Sequence, residues 1–367
     1  MSGTTIGSSV GAATEYGLLG RVIADSTAAK QRLDKLTEQA SSGLIGDTYA
    51  GLGGGATAAL TFQAAAAQQQ AWSDNIDAAT GPMGVAQTAL KQISDIASNF
   101  FAQTNNLNGL NASNIDSIAA GARSALIEVA GLLDTTDGGS YVFAGQDSQN
   151  PPVPDPDNIL SSGFATQIGA AVAGLGASGA AATAATTLGI ASSNAAGTSP
   201  SSAAMSQPAA ALAGLRTSVQ TGAAQHQPVG ILASANAAVS SGGTSTNGSY
   251  MRDIMRALAT LGSLDSSMVS TPGFSALVAD TATSLGGAVG ALNSDAGVMG
   301  DQQTALSAQQ TGLGDTVTAL KGQISNAEDA DLATVLSQLS AAQTRLQASY
   351  QLIAGLQSLS LTKYLGS

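Results

Sequence analysis

The sequence predicts a mainly α protein: a long antiparallel helical bundle or coiled-coil rod formed by both chain ends, with a small β-hairpin region and an inserted middle domain. Three observations lead there. Apolar residues recur at heptad spacing near both ends of the 367-residue chain. Between Asp157 and Arg252 the only charged residue is Arg216, whereas charges recur every several residues on either side. Closely spaced prolines in Asn150-Pro-Pro-Val-Pro-Asp-Pro156 stop any helix at the entrance to that window. The expected organisation is an N-terminal arm over 1–52 pairing with a C-terminal coiled-coil helix over 325–367. A helical segment over 53–150 ends in the hairpin and packs with a long heptad helix over 249–324, while 151–248 forms the inserted section.

In the first arm, Leu18, Val22, Ala29, Leu33, Leu36 and Ala40 share one helical face, with Arg21, Asp25, Lys30, Asp34 and Glu38 elsewhere. Gly43 to Gly55 breaks this helix. A second is expected from about Thr57 to Asn105, and a third is marked by Ile115, Ile118, Ala122, Ala125, Val129 and Leu132. Asp137-Gly-Gly139 leads into a short β segment, Tyr141-Val-Phe143, which Ala144-Gly-Gln-Asp147 turns back as a hairpin. The Ala/Gly/Ser/Thr content of the middle section predicts a small β-rich or loosely ordered outer domain. Leu285, Leu292, Met299, Leu306, Leu313 and Leu320 then recur every seventh residue, with Val289, Ala296, Gln303, Gln310, Val317 and Ile324 between them. A helix from Val278 to Ile324 spans about 70 Å. After an interruption at Ser325-Asn-Ala-Glu-Asp-Ala-Asp331, a new series runs through Leu332, Leu339, Leu346 and Ile353, alternating with Leu336, Gln343 and Tyr350. Ser325 or Asn326 is the expected cap of that last helix, with Glu328, Asp329 and Asp331 suiting its positive first turn.

Composition narrows the function. Charged residues are 10% of the chain, against roughly 25% in ordinary domains. There is no cysteine and one histidine, which removes disulfides, thiolate chemistry and Cys-ligated metals and disfavours His-based triads. A net charge of −12 makes nucleic acid and anionic membranes poor partners. The first residues lack a basic stretch followed by an apolar core, so no cleaved signal peptide is expected. Ile168–Ala191 is uncharged but too rich in small residues for a membrane span.

Motifs suggesting chemistry are matches by letter. Gly51-Leu-Gly-Gly-Gly-Ala56 fits a dinucleotide fingerprint, but a heptad helix precedes it instead of a buried strand, so it reads as a hinge. Gly7-Ser-Ser-Val-Gly11 fits a nucleophile elbow but lacks the sheet such a turn needs. His226 has no acid near it in sequence and reads as a loop histidine; Asp155 and Asp157 read as turn residues. Tyr141, Phe143, Phe100 and Phe101 are expected core anchors, and Trp72 could face a subunit contact. No catalytic, cofactor or metal residues are assigned. The apolar seam itself is the candidate site: Leu18, Val22, Leu33, Leu36, Leu332, Leu336, Leu339, Leu346, Tyr350 and Ile353.

These features resemble the flagellin superfamily. Leu36-Thr-Glu-Gln-Ala-Ser-Ser-Gly43 is similar to the motif closing the first helix in that family. Gly139-Ser-Tyr-Val-Phe-Ala-Gly-Gln-Asp147 with Pro151-Pro152, and the tail through Leu339-Ser-Ala-Ala-Gln-Thr-Arg-Leu346 to Leu359-Ser-Leu-Thr-Lys-Tyr-Leu365, resemble its hook–filament junction branch. The resemblance implies a non-enzymatic, self-assembling structural subunit of the extracellular bacterial flagellum, exported through a type III apparatus. The implied partners are copies of itself, another hook-associated protein, flagellin and an export chaperone, with no cofactor. A filament flagellin, a non-flagellar secreted adhesin, or an enzyme with its catalytic domain in 153–247 are the alternatives.

Overall fold

The computed structural model describes residues 9–107, 112–235 and 245–365. Its helices are α1 (Ser9–Ser42), α2 (Gly55–Asn105), α3 (Ala112–Leu133), α4 (Gly163–Ala173), α5 (Leu175–Ser178), α6 (Ala180–Ser192), α7 (Ala209–Leu215), α8 (Tyr250–Gly262), α9 (Phe274–Glu328) and α10 (Leu332–Leu365). Two antiparallel hairpins join β1 (Thr136–Asp137) to β2 (Ser140–Tyr141) and β3 (Thr217–Gln220) to β4 (His226–Val229). The chain divides into two compact units, one of residues 1–68 with 315–367 and one of 69–314. Both α2 and α9 contribute residues to each.

In the first unit the helices of the two chain ends pack together, α1 against α10, as their seams predict. Gly43, with φ 76°, ends α1 in a conformation that favours glycine. The loop that follows is tied to the end of α9: Ile45 N–H donates to the Glu328 carbonyl at 2.7 Å, and Ala330 N–H donates to the Gly43 carbonyl at 2.8 Å. Gln63 Nε2 adds a 2.8 Å bond to the Glu328 carboxylate. The Gly51–Ala56 stretch is loop up to Gly54, and α2 starts at Gly55 with no strand before it. Of Gly7–Gly11, the first two residues lie outside the described residues, and the rest begin α1.

The second unit has one continuous core built from α2, α3, α4, α8 and α9, the 3-10 turn at Ile159 and the β3–β4 region. The α9 heptad holds: Leu285, Leu292, Met299, Leu306 and Leu313 are buried. Ser94 Oγ donates to Asn293 Oδ1 at 2.8 Å, locking α2 to α9. The seam residues Gln303 and Gln310 are half-buried, at the border where polar ends still reach water. Phe100 and Phe143 are buried, and Trp72 is half-buried against this core.

Three expectations need correction. The first hairpin turns at Gly138–Gly139, not at 144–147. Both glycines have positive φ (55° and 85°), the requirement of a primed two-residue turn, while Gly145–Asp147 is a 3-10 turn. The middle section is helical, not β-rich: α4, α5, α6 and α7 fill it, with β3–β4 as its only hairpin among the described residues. Alanine has high helix propensity, and small side chains let α6 sit close to its neighbours, burying Thr183 and Thr187. His226 stands on strand β4, registered with Gln220 and exposed, rather than in a loop.

α8 is buried almost throughout, although it carries Asp253, Arg256 and Thr260. Most of their polar atoms find partners inside the fold, Arg256 Nε being the exception. Arg256 Nη2 donates to the Ser245 carbonyl at 2.7 Å, its Nη1 lies 3.8 Å from the Asp280 carboxylate, and Thr246 donates to the Asp253 carboxylate. Tyr250 Oη donates to Asp295 Oδ2 at 3.1 Å inside the core. Burial and the adjoining carboxylate push the Tyr250 pKa upward. Burial pulls Arg256 down from its ordinary value, while Asp253 and Asp280 pull it back up.

Candidate assembly surface

An isolated amphipathic helix stabilises itself poorly in water, so α1 and α10 order by burying apolar faces. Leu36, 5% exposed, is buried with Val335 and Ala342; Leu33, Ala40, Ala330 and Leu339 pack around them. On α10 the side facing α1 follows 335, 339, 342, 346, 349 and 353, a regular alternation of fours and threes. On α1, Val22 and Ala29 are half-buried on the same face and Ser26 is buried there.

The predicted seam residues therefore separate into two sets. Leu33, Leu36 and Leu339 meet in the seam, and Val22, Leu346 and Ile353 are half-buried. Leu18 lies on α1, with its side chain outside the described residues. Leu332, Leu336 and Tyr350 lie beside the seam, exposed to 46%, 55% and 53%. At 100° per residue these three fall within about 40° of one another, so they form one stripe bordering Leu339 and Leu346. The apolar face of α10 is thus wider than α1 covers. Val335 and Ala342 are smaller than the leucines of the neighbouring repeats, so hydrophobicity alone does not single them out, although with Leu339 and Leu346 they keep the 4,3 spacing.

The start of α10 is capped by Asp331 rather than by Ser325 or Asn326, both of which lie within α9. The Asp331 carboxylate accepts from Ala333 N–H at 3.0 Å, Thr334 N–H at 3.3 Å and the Thr334 hydroxyl at 2.7 Å. The Thr334 bonds hold its pKa below the ordinary carboxylate value. At the same end of the arm, a hydrogen bond and the like charge of Asp47 raise the Glu38 carboxyl above its usual range. From Gly20 onward the charged residues of α1, among them Arg21, Asp25, Lys30, Asp34 and Glu38, are exposed, so none of these is buried in the seam. Among the described residues no cluster of His, Cys, Asp and Glu suits a metal ion, and no helix is long and apolar enough to cross a membrane. Asp155 accepts from Asn158 Nδ2 at 2.9 Å, the turn role expected of it.

The fold defines the class: a mainly α protein whose terminal helices pair, with apolar surface left over on α10. In a comparison with protein families, residues 283–365 match the bacterial flagellin C-terminal helical region. The match covers α10 and most of α9, under a quarter of the chain, and supports the flagellin superfamily. A comparison with curated proteins yields no match.

Proposed function

We propose that this protein is a structural subunit of the bacterial flagellum that joins hook to filament, in the manner of hook-associated protein 3, by self-assembly through its terminal helices. The observation that carries the assembly part is the exposed stripe of Leu332, Leu336 and Tyr350 beside a seam already filled by α1, in a segment matching a flagellin helical region. Self-assembly and a structural, non-enzymatic role follow from that family. The junction role rests on Gly139–Asp147 with Pro151-Pro152 and on the tail to Leu365, whose resemblance is to junction proteins. The reading keeps a five-part organisation: 1–52 with 325–367 as the assembling ends, 53–150 with 249–324 as the body, and 151–248 as the inserted outer section. Export to the flagellum, an export chaperone, and contacts with flagellin and a second hook-associated protein complete the reading.

Copies joined along the α10 stripe gain roughly 25 cal/mol per Å² of apolar surface buried. Low charge on this face keeps identical subunits from repelling one another. A deletion strain tests the role: intact hooks with flagellin released unpolymerised are expected. A tagged protein fluorescing along the whole filament would instead make it a filament flagellin, the second reading that the same family match allows.

A further inference from the structure

A cleft of about 490 Å³ opens in the second unit between the end of α6, α7 and the start of α8. Among the described residues its wall includes Arg216 and Arg252, with the neutral side chains of Asn194, Gln207, Ser234 and Asn247 and no acidic residue. Arg216 is the one charge in the window from 158 to 251, and folding brings it to the same cleft as Arg252. Two of only 12 basic residues, in a chain of net charge −12, thus meet at one cleft.

The Arg252 guanidinium is held by neutral oxygens. Nη2 donates to Asn194 Oδ1 at 2.9 Å and to the Met205 carbonyl at 3.3 Å, and Nη1 to the Ser192 carbonyl at 3.4 Å. Burial lowers its pKa, with no carboxylate opposing that. The adjoining Asp253 is turned to Thr246 and the Asn247 amide, and Arg256, a turn along α8, to Ser245 and Asp280. Arg216 acts on Tyr250, which bonds Asp295, so its charge is felt there as well. Asn247 Nδ2, on the same wall, is buried without an acceptor. A guanidinium has five donors in a planar fork suited to oxyanions, and the bonds to Asn194, Met205 and Ser192 leave part of that fork to a ligand.

We propose that this cleft binds a small oxyanion carried on a hydroxylated molecule. Arg252 grips the oxyanion, Arg216 adds charge, and Gln207, Ser234 and Asn194 meet the hydroxyl groups. The volume suits a single sugar-sized ligand. None of the residues named in its wall belongs to α1 or α10, so the proposal stands whether or not the assembly reading does.

Calorimetric titration of the full chain with inorganic phosphate, glucose 6-phosphate and glucose tests it. Saturable binding of phosphate at millimolar or tighter affinity, tighter binding of glucose 6-phosphate, and none of glucose are expected. Arg252→Gln should weaken phosphate binding at least about tenfold with the thermal transition of the second unit retained. If that variant does not fold, Arg252→Lys, which keeps the charge but loses the fork, should show the weakening instead. No saturable binding of phosphate by the unaltered chain, or affinity unchanged in a folded variant, would overturn the proposal.

Discussion

Truncating Leu36 to alanine separates the two faces of α10. Leu36 is 5% exposed, and the buried residues around it are Val335 and Ala342 in a layer one residue thick. Leu→Ala in a thick core costs about 2–5 kcal/mol, the upper part coming from a cavity that cannot collapse. Here partly exposed Leu33 and Leu339 can close over the gap, so the transfer term dominates and about 2 kcal/mol is expected. Leu336, more than half exposed, should lose less than about 0.5 kcal/mol on the same change. Amide hydrogen exchange resolved along α1 and α10 reads the local opening free energy directly. Leu36→Ala should speed exchange in both helices while amides of the second unit stay protected, and Leu336→Ala should leave the monomer unaltered. Equal loosening by the two variants, or none by Leu36→Ala, would refute the assignment of the seam.

Other outcomes follow from the same geometry. Asp331→Ala should expose the Ala333 and Thr334 amides to fast exchange, whereas Asp331→Asn, still able to accept those bonds, should not. Burial raises the Asp134 carboxyl to about 6 against the opposing hydrogen bond from Val153 N–H. A raised folded value means the protonated form is preferred in the fold, so this stabilisation is full below about 3.8 and fades as pH rises through about 6. Because the group is half exposed, screening leaves roughly 1 kcal/mol, and Asp134→Asn should flatten that part of a urea-denaturation pH profile. Tyr250→Phe removes a donor from the buried Asp295 and should lower the stability of the second unit by about 1–3 kcal/mol in thermal unfolding. Gly139→Val, at φ 85°, should dissolve the β1–β2 pairing, seen as loss of cross-strand contacts by NMR.

The long helices were legible in the sequence because large residues repeat with the period of the structure. In α9, Leu285 to Leu313 stand seven apart and all five are buried. On α10 the same cue misled in part: Leu336 and Tyr350 are more hydrophobic than Ala342, yet the small residue lies against α1 and the large ones face outward. An apolar face broader than one partner can cover carries two overlapping repeats, and hydrophobicity alone does not rank them. Small residues signal loose structure for the middle section when taken as composition, whereas alanine-rich α6 and α7 pack closely as helices. The Gly138–Gly139 turn was in plain view, but the stronger β formers Tyr141 and Phe143 drew the strand too far along. The cleft with Arg216 and Arg252, and the polar network of Tyr250, Asp253, Arg256, Asp280 and Asp295, join residues far apart in sequence, which no local pattern encodes.

Because the chain contains no cysteine, a single Leu336→Cys substitution can carry an environment-sensitive dye on the outward stripe of α10. As copies assemble, the emission should move from a water-like to an apolar value in step with particle growth measured by light scattering. Particles that form while the dye continues to report water would contradict the claim that this face joins one copy to the next.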